Sequence, residues 1–370
     1  MPTTLADDEP GLSPVVDDMS IYVLSGRVST QEAHGVTRAD RGVRDAVDAE
    51  RLGFRRVFLS ERFDLKEAGV QLSAMAGRTT RLEVATGALA PASRHPILTA
   101  ALGATMHAVH GPRFVLGIGR GMDFWGMPEL KMRDVTEYAT MLKRLWAGEE
   151  FSYQAPGGTP ADIKLLDGLG DIAPPKIWYF TFGGPKAAEA VANPVYDGVM
   201  FYPFMTAEAV NNAVARIRAA CERAGRDPQS LRICHPIVTA PNLDEFATRS
   251  YAHARCVTYL DYPRHGENLA RGNGWDLQVI NRLRNHESLG GERADAKFHR
   301  AQLVELSRVI PDQWIEATAA IGSVDHCVSV LQRYRDAGAD EIAVYGSTPL
   351  ENAELIAAWR QHSQSELVVA

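Results

Sequence analysis

Eight short apolar runs, each leading into a stretch with helical spacing, place this 370-residue chain in the α/β class and point to a (β/α)8 TIM barrel. Two further observations agree with that count. Several runs end in glycines, and two intervals are too long for a bare barrel and read as insertions at the C-terminal face. Alternation alone would equally suit a doubly wound open sheet, and the count of eight favours the barrel.

The elements follow in order. Residues 1–18 hold three prolines and five acidic residues and are expected to form a disordered tail ahead of one domain, 19–370. Strands are expected at 20–24, 56–60, 82–86, 114–118, 177–182, 198–201, 231–238 and 341–345. Helical stripes separate them: Val210, Val214, Ile217 and Cys221 before the seventh strand, and Val324, Cys327, Val328, Leu331 and Tyr334 before the eighth. Ser323 caps the latter and Gly338 stops it. The interval 122–175 holds a helix (134–147) and then a Gly/Pro-rich stretch. The interval 243–320 reads as a helical insertion that carries function or a subunit contact.

Composition narrows the function. A hydrophobic content of 45% with 23% charged residues is that of a soluble globular protein, and a net charge of −7 argues against nucleic-acid or anionic-membrane partners. The four cysteines, Cys221, Cys234, Cys256 and Cys327, have no regular spacing and read as reduced, packed thiols. The first ten residues lack the apolar core of a secretion signal, and no apolar run approaches the roughly 20 residues of a membrane helix. A cytoplasmic location, a homodimer and a small-molecule substrate are expected. Eleven scattered histidines offer no metal-ligand spacing, so no metal site is expected, and neither a GxSxG elbow nor a P-loop is present.

Barrel enzymes work just past their strand ends, and three such ends stand out. They read TGALAPASRHP (86–96), RFVLGIGRG (113–121) and GGPKAAEAV (183–191), the last followed by YDGVM (196–200). Gly183-Gly184-Pro185-Lys186 suits phosphate: glycines let backbone N–H groups approach an anion, and proline pre-sets a first helical turn. An ordinary glycine turn before a helix is the plainer reading of those residues alone. The segment 117–121 invites a dinucleotide-fold reading that fails, because Met122 stands where its third glycine belongs.

In order and text these segments resemble the luciferase-like monooxygenase superfamily, a barrel family that binds flavins or the deazaflavin coenzyme F420. The resemblance covers 20–247 and 321–346, and LSERFDLKEAG (59–69) with RHP and GRG is closer to the deazaflavin-dependent relatives. It implies an oxidoreductase that moves hydride between coenzyme F420 and an organic substrate. The alternatives are an FMN-dependent monooxygenase using reduced flavin and oxygen, or a non-catalytic flavin-binding barrel.

For the site, the resemblance implies a backbone bulge after strand three, with a cis peptide at Gly87–Ala88, supporting the ring together with Leu89. Gly119 and Gly121 line the cofactor, while Phe182, Gly183, Gly184, Pro185 and Lys186 hold its phosphate. Related enzymes often place a histidine where this chain has Arg62. Arginine is a poor proton shuttle but clamps oxyanions well, so Arg62 is expected to act as a clamp and the neighbouring Glu61 to transfer the proton. A Glu61–Arg62 rim pair is the alternative. Arg120 is read either as pocket-facing or as an ion-pair partner, His95 as a helix cap or a ligand contact, and Tyr202 and Phe204 as possible pocket walls.

Overall fold

Short strands that are buried along their whole length need helices on the outside and packed side chains within, which is the condition a closed parallel barrel meets. A computed structural model describes residues 11–23, 40–63, 65–121 and 126–369. Its strands are β1 (Met19–Tyr22), β2 (Arg56–Leu59), β3 (Glu83–Thr86), β4 (Phe114–Ile118), β5 (Phe151–Tyr153), β6 (Ala161–Ile163), β7 (Lys176–Thr181), β8 (Gly198–Phe201), β9 (Arg232–Pro241), β10 (Ala319–Gly322) and β11 (Glu341–Tyr345). Parallel pairing runs β9-β11-β1-β2-β3-β4-β7-β8 and returns to β9 through Gly198↔Arg232, so eight strands close on themselves. These are the eight expected from the sequence. The expected end of the first, Leu24, lies outside the described residues.

Three elements were not expected. β10 pairs with the far end of β9 (Ala319↔Val238), beyond the stretch where β11 pairs. β5 and β6 form an antiparallel hairpin within the Gly/Pro-rich stretch, Phe151 opposite Ile163. At the start of the chain, the expected tail needs correction: residues 1–10 lie outside the described residues, but 11–18 pack on the barrel. Ser13 N–H donates to Arg51 O at 3.0 Å, Val16 N–H to Gly53 O at 2.8 Å, and the Val16 side chain is buried.

Helices α1 (Asp40–Leu52), α2 (Ala68–Ala76), α3 (Pro96–His110), α4 (Met132–Trp146), α5 (Pro185–Val191) and α6 (Ala207–Arg223) cover the strands. Their ends are set by local chemistry: Thr206 caps α6 through Ala209 N–H, and Ser323 caps the helix Val324–Asp336 through His326 N–H. The stretch 243–320 is helical as expected, with Ala254–Asp261, His265–Asn273 and Leu277–Arg284 as its longer pieces. Arg284 gathers it by donating to the carbonyls of Leu260, Asp261 and Tyr262, and Asn273 ties it to the barrel by donating to Phe204 O at 2.7 Å. All four cysteines are buried free thiols. Among the described residues no helix is long and apolar enough to cross a membrane.

The floor of the barrel is charged. Arg56, 1% exposed, bonds Glu341 at 2.5 Å and also Glu83, while Arg232 bonds the other oxygen of Glu341 at 2.6 Å. These residues begin β2, β3, β9 and β11, so the pairs lie at the strands' N-terminal ends, away from the site.

Candidate active site

At the other end, the strand termini open into a funnel of about 1400 Å³, counting its solvent-open part. Tyr22 enters from β1, residues 59–63 from the end of β2, 87–90 after β3, 119–121 after β4, Phe180 from β7, 201–203 from β8 and Tyr345 from β11. The insertion folds back over the mouth and adds Arg255, Thr258, Tyr259, Tyr262, His265 and Asp295.

The segment after β3 is held on both flanks. Gly87 N–H donates to Leu59 O (2.8 Å), Ser60 Oγ to Gly87 O (2.9 Å) and Ala90 N–H to Glu61 Oε2 (3.0 Å). On the β4 side, Leu89 N–H donates to Gly117 O and Gly119 N–H to Leu89 O. The Gly87–Ala88 peptide is cis. Only glycine fits at position 87, since a Cβ there would stand 2.8 Å from the Tyr22 ring. A Cβ on Gly119 would project beside Ala88 with 3.6 Å clearance, and Gly121 needs its positive φ of 82°. The result is a flat wall of backbone and small side chains.

Of the expected site residues, Glu61, Arg62, Gly87, Ala88, Leu89, Gly119 and Gly121 therefore converge on the funnel. Phe182, Gly183, Gly184, Pro185 and Lys186 do not line it. Phe182 packs behind, 4.4 Å from the Tyr202 ring and 5.4 Å from His265. Gly183 has a φ of 67° and accepts from Arg216 Nε at 3.1 Å, while Lys186 is exposed and no atom lies within 4 Å of a Cβ built on Gly184.

The two expected reactive side chains have other partners than each other. Glu61, buried, accepts from Arg94 Nε at 3.1 Å and Nη2 at 2.9 Å as well as from the bulge at Ala90. Both its oxygens are engaged, so it fixes the segment after β3. Arg62 reaches across to the insertion, donating to Asp295 Oδ2 at 3.0 Å and Asp295 O at 3.2 Å, so a Glu61–Arg62 pair does not form. Burial would raise the Asp295 carboxyl, but Arg255, Arg62 and Arg300 together bring it below its ordinary value.

Arg120 serves both expected roles, lining the funnel and pairing with Glu129 at 3.0 Å. His95 is a cap: its Nδ1 accepts from Ile97 N–H. Tyr202 walls the funnel, whereas Phe204 is fully buried. Burial raises the hydroxyls of Tyr22, Tyr202 and Tyr259 above their ordinary range, so they remain proton donors at neutral pH. Sequence reasoning missed Arg255, Tyr259, Tyr262, His265 and Asp295. His265 is the one histidine among the described lining residues, and it sits against Phe182, Tyr202 and Tyr262. Among the described residues no cluster of metal-ligating side chains occurs.

Comparisons with known proteins agree on one family. The luciferase-like monooxygenase family model matches residues 19–341. The 5,10-methylenetetrahydromethanopterin reductase of Methanolobus tindarius is 23% identical over 311 residues, covering 83% of this chain and 90% of that one. The F420-dependent hydroxymycolic acid dehydrogenase of Mycobacterium tuberculosis is 27% identical over 218 residues, 54% of this chain and 58% of its own. Among solved structures, the coenzyme F420 dependent tetrahydromethanopterin reductase from Methanopyrus kandleri superposes with a TM-score of 0.71 at 16% identity, covering 93% of this chain and 97% of that one.

Proposed function

We propose, for a chain that belongs to the luciferase-like monooxygenase family, that it is an F420-dependent oxidoreductase acting on a small organic substrate in the funnel. The observation that carries this reading is the flat wall formed by residues 87–90 against Gly119 and Gly121, which suits one face of a planar tricyclic ring. The F420-dependent hydroxymycolic acid dehydrogenase among the relatives supports the same choice over FMN with oxygen. When bound, F420 supplies a ring carbon that donates or accepts hydride.

The chain's own residues do the rest. Gly87, Ala88 and Leu89 support the ring, Gly119 and Gly121 leave room beside it, and Glu61 holds that wall in place through Ala90 and Arg94. Residues 182–186 would hold the cofactor's phosphate from outside the funnel lining, where the space around Gly184 is open and Lys186 adds a positive charge. Arg62 steadies negative charge on the substrate, as a planar fork does better than an ammonium. With Glu61 engaged, His265 is the group positioned to exchange the proton that accompanies hydride transfer. The aromatic rings around the funnel keep water from the reacting atoms.

Gly119→Val tests the ring assignment. Its Cβ would meet Ala88 and Phe180 only at ordinary van der Waals distances of 3.6 and 3.8 Å, so F420 affinity should fall about tenfold or more at unchanged thermal stability. Fluorescence titration with F420 reads this directly, and unchanged affinity would overturn the assignment.

A further inference from the structure

Two guanidinium groups share one carboxylate at the mouth, among the described residues, and the charge of a third acts on it. Asp295 accepts from Arg62 Nη1 at 3.0 Å and from Arg255 Nη1 at 2.7 Å. Arg300, in the short turn Arg300–Leu303, is 1% exposed and lies behind this pair, its cation 5.7 Å from the centre of the Tyr345 ring. None of its three guanidinium nitrogens has a hydrogen-bond partner, and Arg255 Nε also has none. Burial and the nearby Arg255 charge both disfavour the Arg300 cation. A chain gains nothing in stability by burying such a charge unbonded. An anion brought in near Arg255 would offset that charge.

Chemistry and position define that anion. Arg255 and Asp295 line the funnel beside Tyr259 and Tyr345, so the open side of the cluster is a charged patch in an aromatic wall. Tyr345 ends β11, three strands round the barrel from β3, so the patch is separate from the wall proposed for the cofactor ring. A planar two-oxygen acceptor matches the guanidinium fork, whereas Asp295 gives one oxygen to Arg62 and the other to Arg255. Resting on the reading of the funnel as a substrate site, we propose that the substrate is an organic carboxylate. Its apolar body packs on Tyr259 and Tyr345, and its carboxylate lies beside Asp295 on Arg255, with the Arg300 charge behind.

The test compares benzoate with benzamide, which has nearly the same shape and no charge, by isothermal titration of the full chain with and without F420. Benzoate should bind about tenfold tighter or more, as a charge-assisted contact in a partly buried site implies. The preference should shrink below about threefold in Arg255→Met and Arg300→Met. Arg300→Met should also keep or raise the melting temperature, because it loses no hydrogen bond. Equal affinity for the two probes, or a preference intact in both variants, would overturn the proposal, as would inorganic phosphate binding more tightly than benzoate. Should either variant fail to fold, the wild-type benzoate-to-benzamide ratio still decides. F420 retention, measured separately, distinguishes the failures: retention without a benzoate preference overturns the carboxylate and leaves the cofactor reading, and the reverse result does the opposite.

Discussion

The two ends of the barrel carry charge clusters built from the same residue types, yet they differ in balance. At the floor, Arg56 and Arg232 meet Glu83 and Glu341, and Ser20 adds a hydroxyl donor to Glu341. Three cations, Arg55, Arg56 and Arg232, face three anions, Asp17, Glu83 and Glu341, and burial of the Glu341 carboxyl is more than offset by Arg56 and Arg232, which hold it below its ordinary range. Trp178 covers the Arg56 guanidinium at 4.4 Å. At the mouth, Arg62 and Arg255 share Asp295, and the Arg300 guanidinium has no hydrogen-bond partner. At the floor every guanidinium holds a carboxylate, although the Nε atoms of Arg55 and Arg56 have no partner. An excess of unsatisfied cation belongs where a ligand completes the set.

Removing the central anion at each end exposes the difference most strongly. Glu341→Gln leaves two buried guanidinium groups facing an amide and should cost about 3–5 kcal/mol in urea denaturation. Asp295→Asn should cost less than half of that in saturating benzoate, because an added carboxylate then replaces the lost anion beside Arg255. Equal losses would erase the distinction between a structural and a ligand-binding cluster.

The next effect is on rate alone. Arg62→Lys keeps the positive charge beside Asp295 but loses the planar fork, so kcat/KM should fall on the order of 10²–10³, about 2–4 kcal/mol, with F420 affinity nearly constant. A wild-type rate would make Arg62 only a partner of Asp295.

The smallest effect sharpens the contrast at the floor side. His235, on β9, is fully buried without a hydrogen-bond partner and stacks on Tyr334 at 4.6 Å, and burial lowers its pKa to about 3. Its folded pKa lies below the unfolded value near 6.5, so the unfolded chain binds the extra proton first. Stability is therefore retained above that value and lost as pH falls from about 6.5 toward 3, by about 2 kcal/mol at pH 5. His235→Phe should flatten the dependence of melting temperature on pH across this window, and an unaltered slope would contradict it.

The barrel was legible because its eight strands are buried on both faces and read as apolar runs between striped helices. β10 was not, since Ala319-Ala320-Ile321-Gly322 is short and small with no alternation. The β5–β6 hairpin was hidden by the glycines and prolines around it, with Phe151, Tyr153 and Ile163 its only strand-like signals. Half of the candidate site was legible because barrel sites gather just past strand ends and the resemblance picked out which ends: Glu61, Arg62, 87–89, Gly119 and Gly121. No such rule applies to the insertion. Arg255, His265 and Asp295 reach the funnel through helix packing among residues distant in sequence, and no local pattern marks them. The run 182–186 carries the glycines of a ligand turn but lies a layer behind the lining, with the Phe182 ring between.

The central claim, that the flat wall after β3 and β4 holds F420, is tested most directly by competition dialysis of the purified chain against equimolar F420 and FMN. The structure and its relatives predict that F420 is retained in preference to FMN and that Gly119→Val abolishes the retention. Retention of FMN with F420 left in the dialysate would contradict the account.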